Sequence, residues 1–241
     1  MIQDLRAALA FLTIVPVGYP EGRKPGYAYG WFPLVGLLIG LVLVLVGVAV
    51  VPVSAEVRAL LILLAWVVLT GGLHLDGLAD SCDGLLATTT PEKRLDIMKD
   101  PRAGSWAVVG VVLLLLGKWV LLRESAPVAL LIAPVAGRWM LTAAAWGYPY
   151  ARSTGLGAWF KDGLGRPQMA LATLLAGGVL VAAVWLDPRV LLALPLTLAL
   201  LIGLGRWMAG RLGGGLTGDC YGALCEVTEF VCLLGMVLWQ V

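Results

Sequence analysis

Residues 31–55 read WFPLVGLLIGLVLVLVGVAVVPVSA, a run of 25 positions without one charged side chain. Crossing the hydrocarbon layer of a bilayer takes about 20 apolar residues, so this run is a membrane-spanning helix and the chain is an integral membrane protein. Its glycines and prolines do not argue otherwise, because transmembrane helices carry more of both than soluble helices do. The whole chain agrees: of 241 residues 60% are hydrophobic and 13% charged, and the mean hydropathy is +0.93. A soluble domain runs near half apolar and a quarter charged.

Working outward, Glu56 and Arg58 mark a turn, and apolar runs follow at 59–75, 103–122, 125–148, 167–186, 190–205 and 221–239. Together with the first run these predict an all-α, polytopic helical bundle of about seven transmembrane helices, with short cytoplasmic helices between them. No repeat or low-complexity linker divides the chain, so residues 1–241 are read as one membrane-embedded domain. Lys118 sits near the end of the third span, close enough to snorkel. Residues 7–17 form an apolar stretch with Pro16 near its end and Pro20 beyond it, and no cleavage site follows, which reads as a retained, interfacial segment.

Alternate loops sort by charge. One side carries Arg6, Arg23, Lys24, Lys93, Arg94, Lys99, Arg102, Arg152, Lys161, Arg166, Arg206 and Arg211, twelve cations, and the other carries Arg58, Arg123 and Arg189, three. Cytoplasmic loops hold the excess of Lys and Arg, which puts the N-terminus, and all the longer connections, in the cytoplasm. A net charge of +2 with no basic tract argues against nucleic acid. Cys82, Cys220, Cys225 and Cys232 include no C-x2-C pair, which argues against zinc and disulfides.

The second apolar run leads into GGLHLDGLADSCDG, residues 71–84, with Asp76, Asp80 and Asp83 at i, i+4 and i+7. At about 100° per residue these fall near 0°, 40° and −20°, one narrow helical stripe. Like charges so placed repel, and hard oxygen ligands at a partly hydrated helix end suit Mg²⁺ or Mn²⁺. Magnesium in turn implies a phosphate substrate. His74, the only histidine, invites a general-base role but lies about 160° from Asp76 on a continuous helix. Cys82 reads as an ordinary small interior residue.

A second cluster follows. Thr90-Pro91 is a helix-start signal and Pro101 a stop, and the short helix between presents Asp96 and Asp100 among Lys93, Arg94 and Lys99, with Arg102 just beyond. Five aspartates and four cations within 27 residues fit metal and phosphoanion binding. Near the C-terminus, Thr217 caps a helix on which Asp219, Glu226 and Glu229 share one stripe, and carboxylates are costly in a spanning helix. Two roles stand open for the glutamates: substrate binding, or pairing with Arg138 or Lys118 inside the bundle. Arg152-Ser153-Thr154-Gly155-Leu156-Gly157, with Lys161, forms a loop able to hold phosphate on backbone amides.

These motifs resemble the cobalamin synthase family, the adenosylcobinamide-GDP ribazoletransferases. The resemblance rests on Phe11-Leu12-Thr13 with Pro16, Phe32-Pro33-Leu34-Val35-Gly36, Gly72-Leu73-His74-Leu75-Asp76-Gly77-Leu78-Ala79-Asp80, and Ile97-Met98-Lys99-Asp100 with Arg102 and Gly104. Tyr150-Ala151-Arg152 with Gly155-Leu156-Gly157, and Gly215-Leu216-Thr217-Gly218-Asp219 with Glu226, complete it. It implies that the 3′-hydroxyl of α-ribazole, or of its 5′-phosphate, attacks the corrinoid-bound phosphorus of adenosylcobinamide-GDP and expels GMP. It further implies Mg²⁺ dependence (with Mn²⁺ as a substitute), the cytoplasmic membrane of a prokaryote, and association as a homo-oligomer or with other corrinoid-pathway enzymes. Catalysis is expected from Asp76, Asp80, Asp83 and His74, and substrate binding from Lys99, Arg102, Arg152, Asp219 and Glu226.

A looser likeness is to the membrane CDP-alcohol phosphotransferases. Asp80-Ser81-Cys82-Asp83-Gly84 with Ala87 matches half of their motif and Asp96 with Asp100 its end, while Thr88 and Glu92 depart from it. That likeness nominates Asp80, Asp83, Asp96 and Asp100 as the metal set, with Asp76 next. It also makes a phosphotransferase acting on another alcohol the alternative function. A transporter, motivated by Glu226, Glu229 and glycine-interrupted helices, is the third reading, and the short outer loops count against it.

Overall fold

A computed structural model of the chain describes residues 1–152 and 156–239, and these are helical throughout apart from turns and one isolated bridge. The helices are α1 (Ile2–Leu12), α2 (Phe32–Ala49), α3 (Ala55–Thr70), α4 (Leu73–Leu86), α5 (Pro91–Ile97), α6 (Ser105–Glu124), α7 (Pro127–Gly147), α8 (Leu156–Phe160), α9 (Arg166–Val184), α10 (Ala193–Arg211) and α11 (Gly218–Leu238). Six segments are long and apolar enough to cross a membrane: α2 and α10 with their preceding 3-10 turns, α6, α7, α9 and α11. The bent pair α3–α4 brings the number to seven.

The expected second span therefore differs in shape. The chain bends by 89° between α3 and α4, because Gly71 and Gly72 both take left-handed backbone, φ 61° and 67°, which costs residues with a Cβ but not glycine. The amides of Gly72 and Gly71 close on the carbonyls of Val67 and Val68, sealing the end of α3. α4 therefore runs at right angles to α3 instead of continuing it. The aspartates thus sit on a separate helix, not on the tail of a spanning one.

Close backbone approach holds the bundle together. A Cβ on Gly36 or Gly40 would come within 2.5 or 2.6 Å of the Pro134 or Leu130 carbonyl oxygen, so this Gly-x3-Gly face of α2 lets α7 pack against bare backbone, the usual device where lipid supplies no hydrophobic drive. α7 is the central helix, with Arg138, Met140 and Ala144 fully buried. The same logic positions α4 on α11: a Cβ on Gly77 would lie 2.8 Å from the Asp219 carbonyl, and one on Gly222 would lie 3.3 Å from His74 Cα. On its other side Cys82 packs at Gly110 of α6, where a Cβ would come 2.5 Å from the sulfur. All four cysteines are free.

Lys118 does not snorkel. It lies in α6 against α11, where its Nζ donates to Glu226 Oε2 at 2.6 Å and Glu229 Oε2 at 2.5 Å, and it sits 4.5 Å from the centre of the Trp66 ring. Arg138 Nη1 donates to Glu229 Oε1. The four groups form a neutral, buried cluster of two cations and two anions. Pairing in the interior wins over snorkelling because opposite charges are within contact distance and water is not.

Candidate active site

The first turns of α6 and α11 point at α4 from two sides. Thr217 caps α11, its hydroxyl accepting from the Cys220 amide at 3.3 Å and donating to Asp219 Oδ2 at 3.1 Å. Just before it, Leu216 and Tyr150 form a parallel bridge, with Ala151 N donating to Leu216 O and Leu216 N to Pro149 O, each at 2.9 Å. Gly215 permits this, since a Cβ there would be 2.8 Å from the Ala151 nitrogen and the Pro149 carbonyl. The bridge carries Arg152 to Asp219, with Nη2 3.6 Å from Oδ2.

Three carboxylates, Asp76, Asp80 and Asp219, consequently share one region with Arg152. Burial, reinforced by the charges of Asp219, Asp76 and Asp83, pushes the Asp80 carboxyl up to about 6, and Arg152 only partly opposes it. A neighbouring cleft of about 850 Å³ is lined at its charged rim by Asp76, Lys99, Arg152 and Asp219. Its other walls are Phe11, Tyr29, Phe32, Leu141, Phe160 and Tyr221, with His74 among them. Burial, with Arg138 and Lys118 nearby, holds the His74 imidazole well below its ordinary pKa and therefore neutral. Its Nδ1 lies 3.7 Å from Cys225 Sγ, and its Nε2 is buried without a partner among the described residues.

The remaining expected site residues lie elsewhere. Asp83 is on the stripe but caps α6: its oxygens accept from Gly104 N at 2.6 Å and Ala107 N at 2.9 Å. α5 ends at Ile97, so Asp96 and Asp100 are not on one helix face. Asp96 is exposed, 4.0 Å from Lys99, and Asp100 is clasped by Arg102 at 2.9 and 2.6 Å. That clasp pulls Asp100 down to about 2. Arg94 turns inward to the Ala87 carbonyl. Glu226 belongs to the buried cluster with Lys118 and does not line the cleft.

In the loop proposed to hold phosphate, residues 153–155 lie outside the described residues, Arg152 and Gly157 line the cleft, and Lys161 donates to the Tyr148 carbonyl at 2.8 Å. The aromatic walls are what sequence reasoning missed. Phe11, Phe32 and Tyr150 stand in the quoted motifs, but an aromatic in an apolar run carries no sign of lining a cleft.

Among the described residues no three His, Cys, Asp or Glu side chains converge on an ion position, so the expected set of Asp80, Asp83, Asp96 and Asp100 is not assembled. The donors at hand still fit a divalent cation. Mg²⁺ is commonly held by one or two carboxylates together with substrate phosphates and water, and three acidic groups beside two cations leave negative charge that a phosphate substrate would worsen.

A multi-spanning helical membrane protein whose cleft is rimmed by carboxylates and cations fits a membrane transferase for charged substrates. Residues 4–237 match the family described as cobalamin-5-phosphate synthase, and the chain belongs to that family. Similar proteins include adenosylcobinamide-GDP ribazoletransferases of Pseudomonas putida strain W619, 41% identical over 96% of this chain and 97% of the relative, and of Ectopseudomonas mendocina, 42% identical over 97% and 98%. That of Herpetosiphon aurantiacus is 38% identical over 97% and 95%. No solved structure matches significantly. These matches favour neither the CDP-alcohol phosphotransferase nor the transporter reading.

Proposed function

We propose that this protein is an adenosylcobinamide-GDP ribazoletransferase. It joins α-ribazole, or its 5′-phosphate, to the adenosylcobinamide phosphate of adenosylcobinamide-GDP and releases GMP. The 3′-hydroxyl oxygen bonds to the corrinoid-side phosphorus, the bridging P–O bond to GMP breaks, and the hydroxyl proton leaves. The observation that carries the proposal is the meeting of Asp76, Asp219 and Arg152 at a cleft, with Asp80 electrostatically coupled to all three, in a chain whose relatives bear that enzyme's name.

Arg152 and Lys99 attract and orient the phosphates at the rim. Asp76 or Asp219, both at the cleft, takes the hydroxyl proton. His74, neutral and buried, carries no charge into the reaction. Asp76, Asp80 and Asp219 are the residues that would hold Mg²⁺, with Mn²⁺ as a substitute. When bound, the ion supplies charge neutralisation of the pyrophosphate and of the departing GMP. Orientation is part of the proposal: the twelve-to-three distribution of basic residues supports a cytoplasmic N-terminus and a cytoplasmic cleft, in the cytoplasmic membrane of a prokaryote.

The test is incubation of the purified protein in detergent with adenosylcobinamide-GDP, α-ribazole and Mg²⁺, reading GMP release. Stoichiometric GMP and a corrinoid carrying the nucleotide loop are expected. No GMP from folded protein, with either α-ribazole or its phosphate, overturns the proposal.

A further inference from the structure

We infer that Cys225 is a positioning residue for His74: its thiol donates to Glu229, its sulfur accepts from Nδ1–H of the imidazole, and the ring at the cleft wall is thereby held in one tautomer. The buried charge cluster then reaches the cleft through two side chains. Its kinetic consequence rests on the transferase reading; its geometry does not.

Packing sets up the contact. Gly222, Cys225 and Glu229 fall at i, i+3 and i+7 of α11, one face of a helix. At Gly222 the first turn of α4 comes close, and a Cβ there would lie 3.3 Å from the Cα and the carbonyl oxygen of His74. At Gly137 the backbone of α7 comes close, and a Cβ there would lie 2.9 Å from both Cys225 Sγ and Glu229 Cγ. Two glycines, one on α11 and one on α7, thus let imidazole, thiol and carboxylate meet. Nδ1 lies 3.7 Å from Sγ, and Sγ lies 3.9 Å from Glu229 Oε1. Cys225 and Glu229 are fully buried, and His74 is buried while lining the cleft.

The direction of these hydrogen bonds follows from which groups can give. A carboxylate only accepts, and a thiol has one proton. Glu229 is one of the two anions of the cluster, paired with Lys118 and Arg138. A hydrogen bond to an ionised acceptor is about twice as strong as one between neutral groups, so at nearly equal distances the single S–H turns to Glu229 and not to the imidazole. The sulfur keeps its lone pairs, and what His74 can bring to them is Nδ1–H. Burial, with Arg138 and Lys118 nearby, keeps the ring neutral, so it carries one N–H and Nε2 holds a lone pair. The proton then sits on the nitrogen that has a partner, since Nε2 has none among the described residues. Without the chain the two tautomers exchange and the imidazole dipole reverses; with it, the dipole at the cleft wall, two residues from Asp76, has one direction.

The test uses the single histidine of the sequence. Full-length protein, grown with ¹⁵N-labelled histidine and purified in detergent on a histidine-free affinity tag, gives the ring-nitrogen signals of His74 alone. Their shifts separate a protonated from an unprotonated nitrogen, and their couplings to the ring hydrogens tell Nδ1 from Nε2. The wild type is expected to be predominantly Nδ1–H, and predominant Nε2–H overturns the inference without any variant. Cys225→Ala removes the middle of the chain and is expected to lower the ratio of Nδ1–H to Nε2–H about 2- to 10-fold, the worth of one hydrogen bond. Glu226→Gln removes a charge from the cluster but no link from the chain, and is expected to leave the ratio unchanged. An unchanged ratio in Cys225→Ala, or an equal fall in Glu226→Gln, overturns the inference. In steady-state GMP release, kcat of Cys225→Ala per folded molecule is expected to fall with its Nδ1–H population, and a shifted tautomer with kcat unchanged overturns the positioning role. No GMP from the wild type would instead remove the reaction, and the nitrogen spectra would still decide the chain.

Discussion

Glu226 is the sharpest place to test the reasoning, because its position in the sequence invites a substrate role and its surroundings give it another. Glu226→Gln changes one atom and removes one charge from the cluster of Lys118, Arg138, Glu226 and Glu229, in which Lys118 reaches both glutamates at 2.6 and 2.5 Å. The cluster goes from neutral to an excess of one buried cation. Breaking a buried pair by removing one partner costs about 3–5 kcal/mol. Glutamine still accepts a hydrogen bond from Lys118, so the lower end, about 3 kcal/mol, is expected. For a chain of this size each 1 kcal/mol moves the midpoint by about 2–4 °C, giving a fall of roughly 6–12 °C. Thermal unfolding in detergent, followed by tryptophan fluorescence, measures it. Lys118→Met combined with Glu226→Gln restores neutrality and should recover more than half of the loss, while the rate per folded molecule of the single variant stays near that of the wild type. An unchanged or raised midpoint with a large loss of turnover would refute this and return Glu226 to the substrate.

Further expectations concern the cleft and its supports. Asp80→Asn should lower turnover by at least about 10²-fold, as loss of one well-placed electrostatic contact does, with membrane insertion intact; a variant keeping a tenth of the rate would exclude a direct role. EDTA should silence the enzyme and Mg²⁺ restore it, and full activity after chelation would remove the metal from the proposal. Gly104→Ala should destabilise the protein by about 1 kcal/mol, because its Cβ would come 2.7 Å from Asp83 Oδ1 and displace the cap of α6; an unchanged unfolding midpoint would show that Asp83 does not cap α6. In a variant lacking the native cysteines, cysteine at Thr89 should react with an impermeant thiol reagent only from the cytoplasmic side and cysteine at Ala126 only from outside. The reverse pattern would invert the orientation.

The spans and caps were legible because they rest on local signals. Length and hydropathy set the crossings, and Thr90 and Thr217, each followed by a helix, accept the amides three residues on, from Lys93 and Cys220. The Gly71–Gly72 pair was visible, but a helical-wheel argument assumes an unbroken axis and cannot report an 89° turn. Asp83 shows the other limit. Its spacing puts it with Asp76 and Asp80, while its partners, the amides of Gly104 and Ala107, lie about twenty residues on and are set by tertiary packing.

The acidic residues of this chain divide by what reaches them. Glu226 and Glu229 lie deep in α11, where Lys118 and Arg138 arrive from α6 and α7 and every charge is answered within the bundle. Asp76, Asp80 and Asp219 lie where α4, bent at right angles to α3, crosses the first turn of α11. Among the described residues only Arg152, at 3.6 Å from Asp219, is paired with the group, and Lys99 stands at the rim. A protein that neutralises two carboxylates fully inside the bundle and leaves three under-compensated beside the cleft is not short of cations, since it spends Arg94 and Arg211 on backbone carbonyls at the end of α4 and just beyond it. The deficit is local, beside a cleft of about 850 Å³, and the proposed Mg²⁺ would offset it. The same placement explains why the glutamates, which look equally anomalous in the sequence, should answer to a melting curve and the aspartates to a rate.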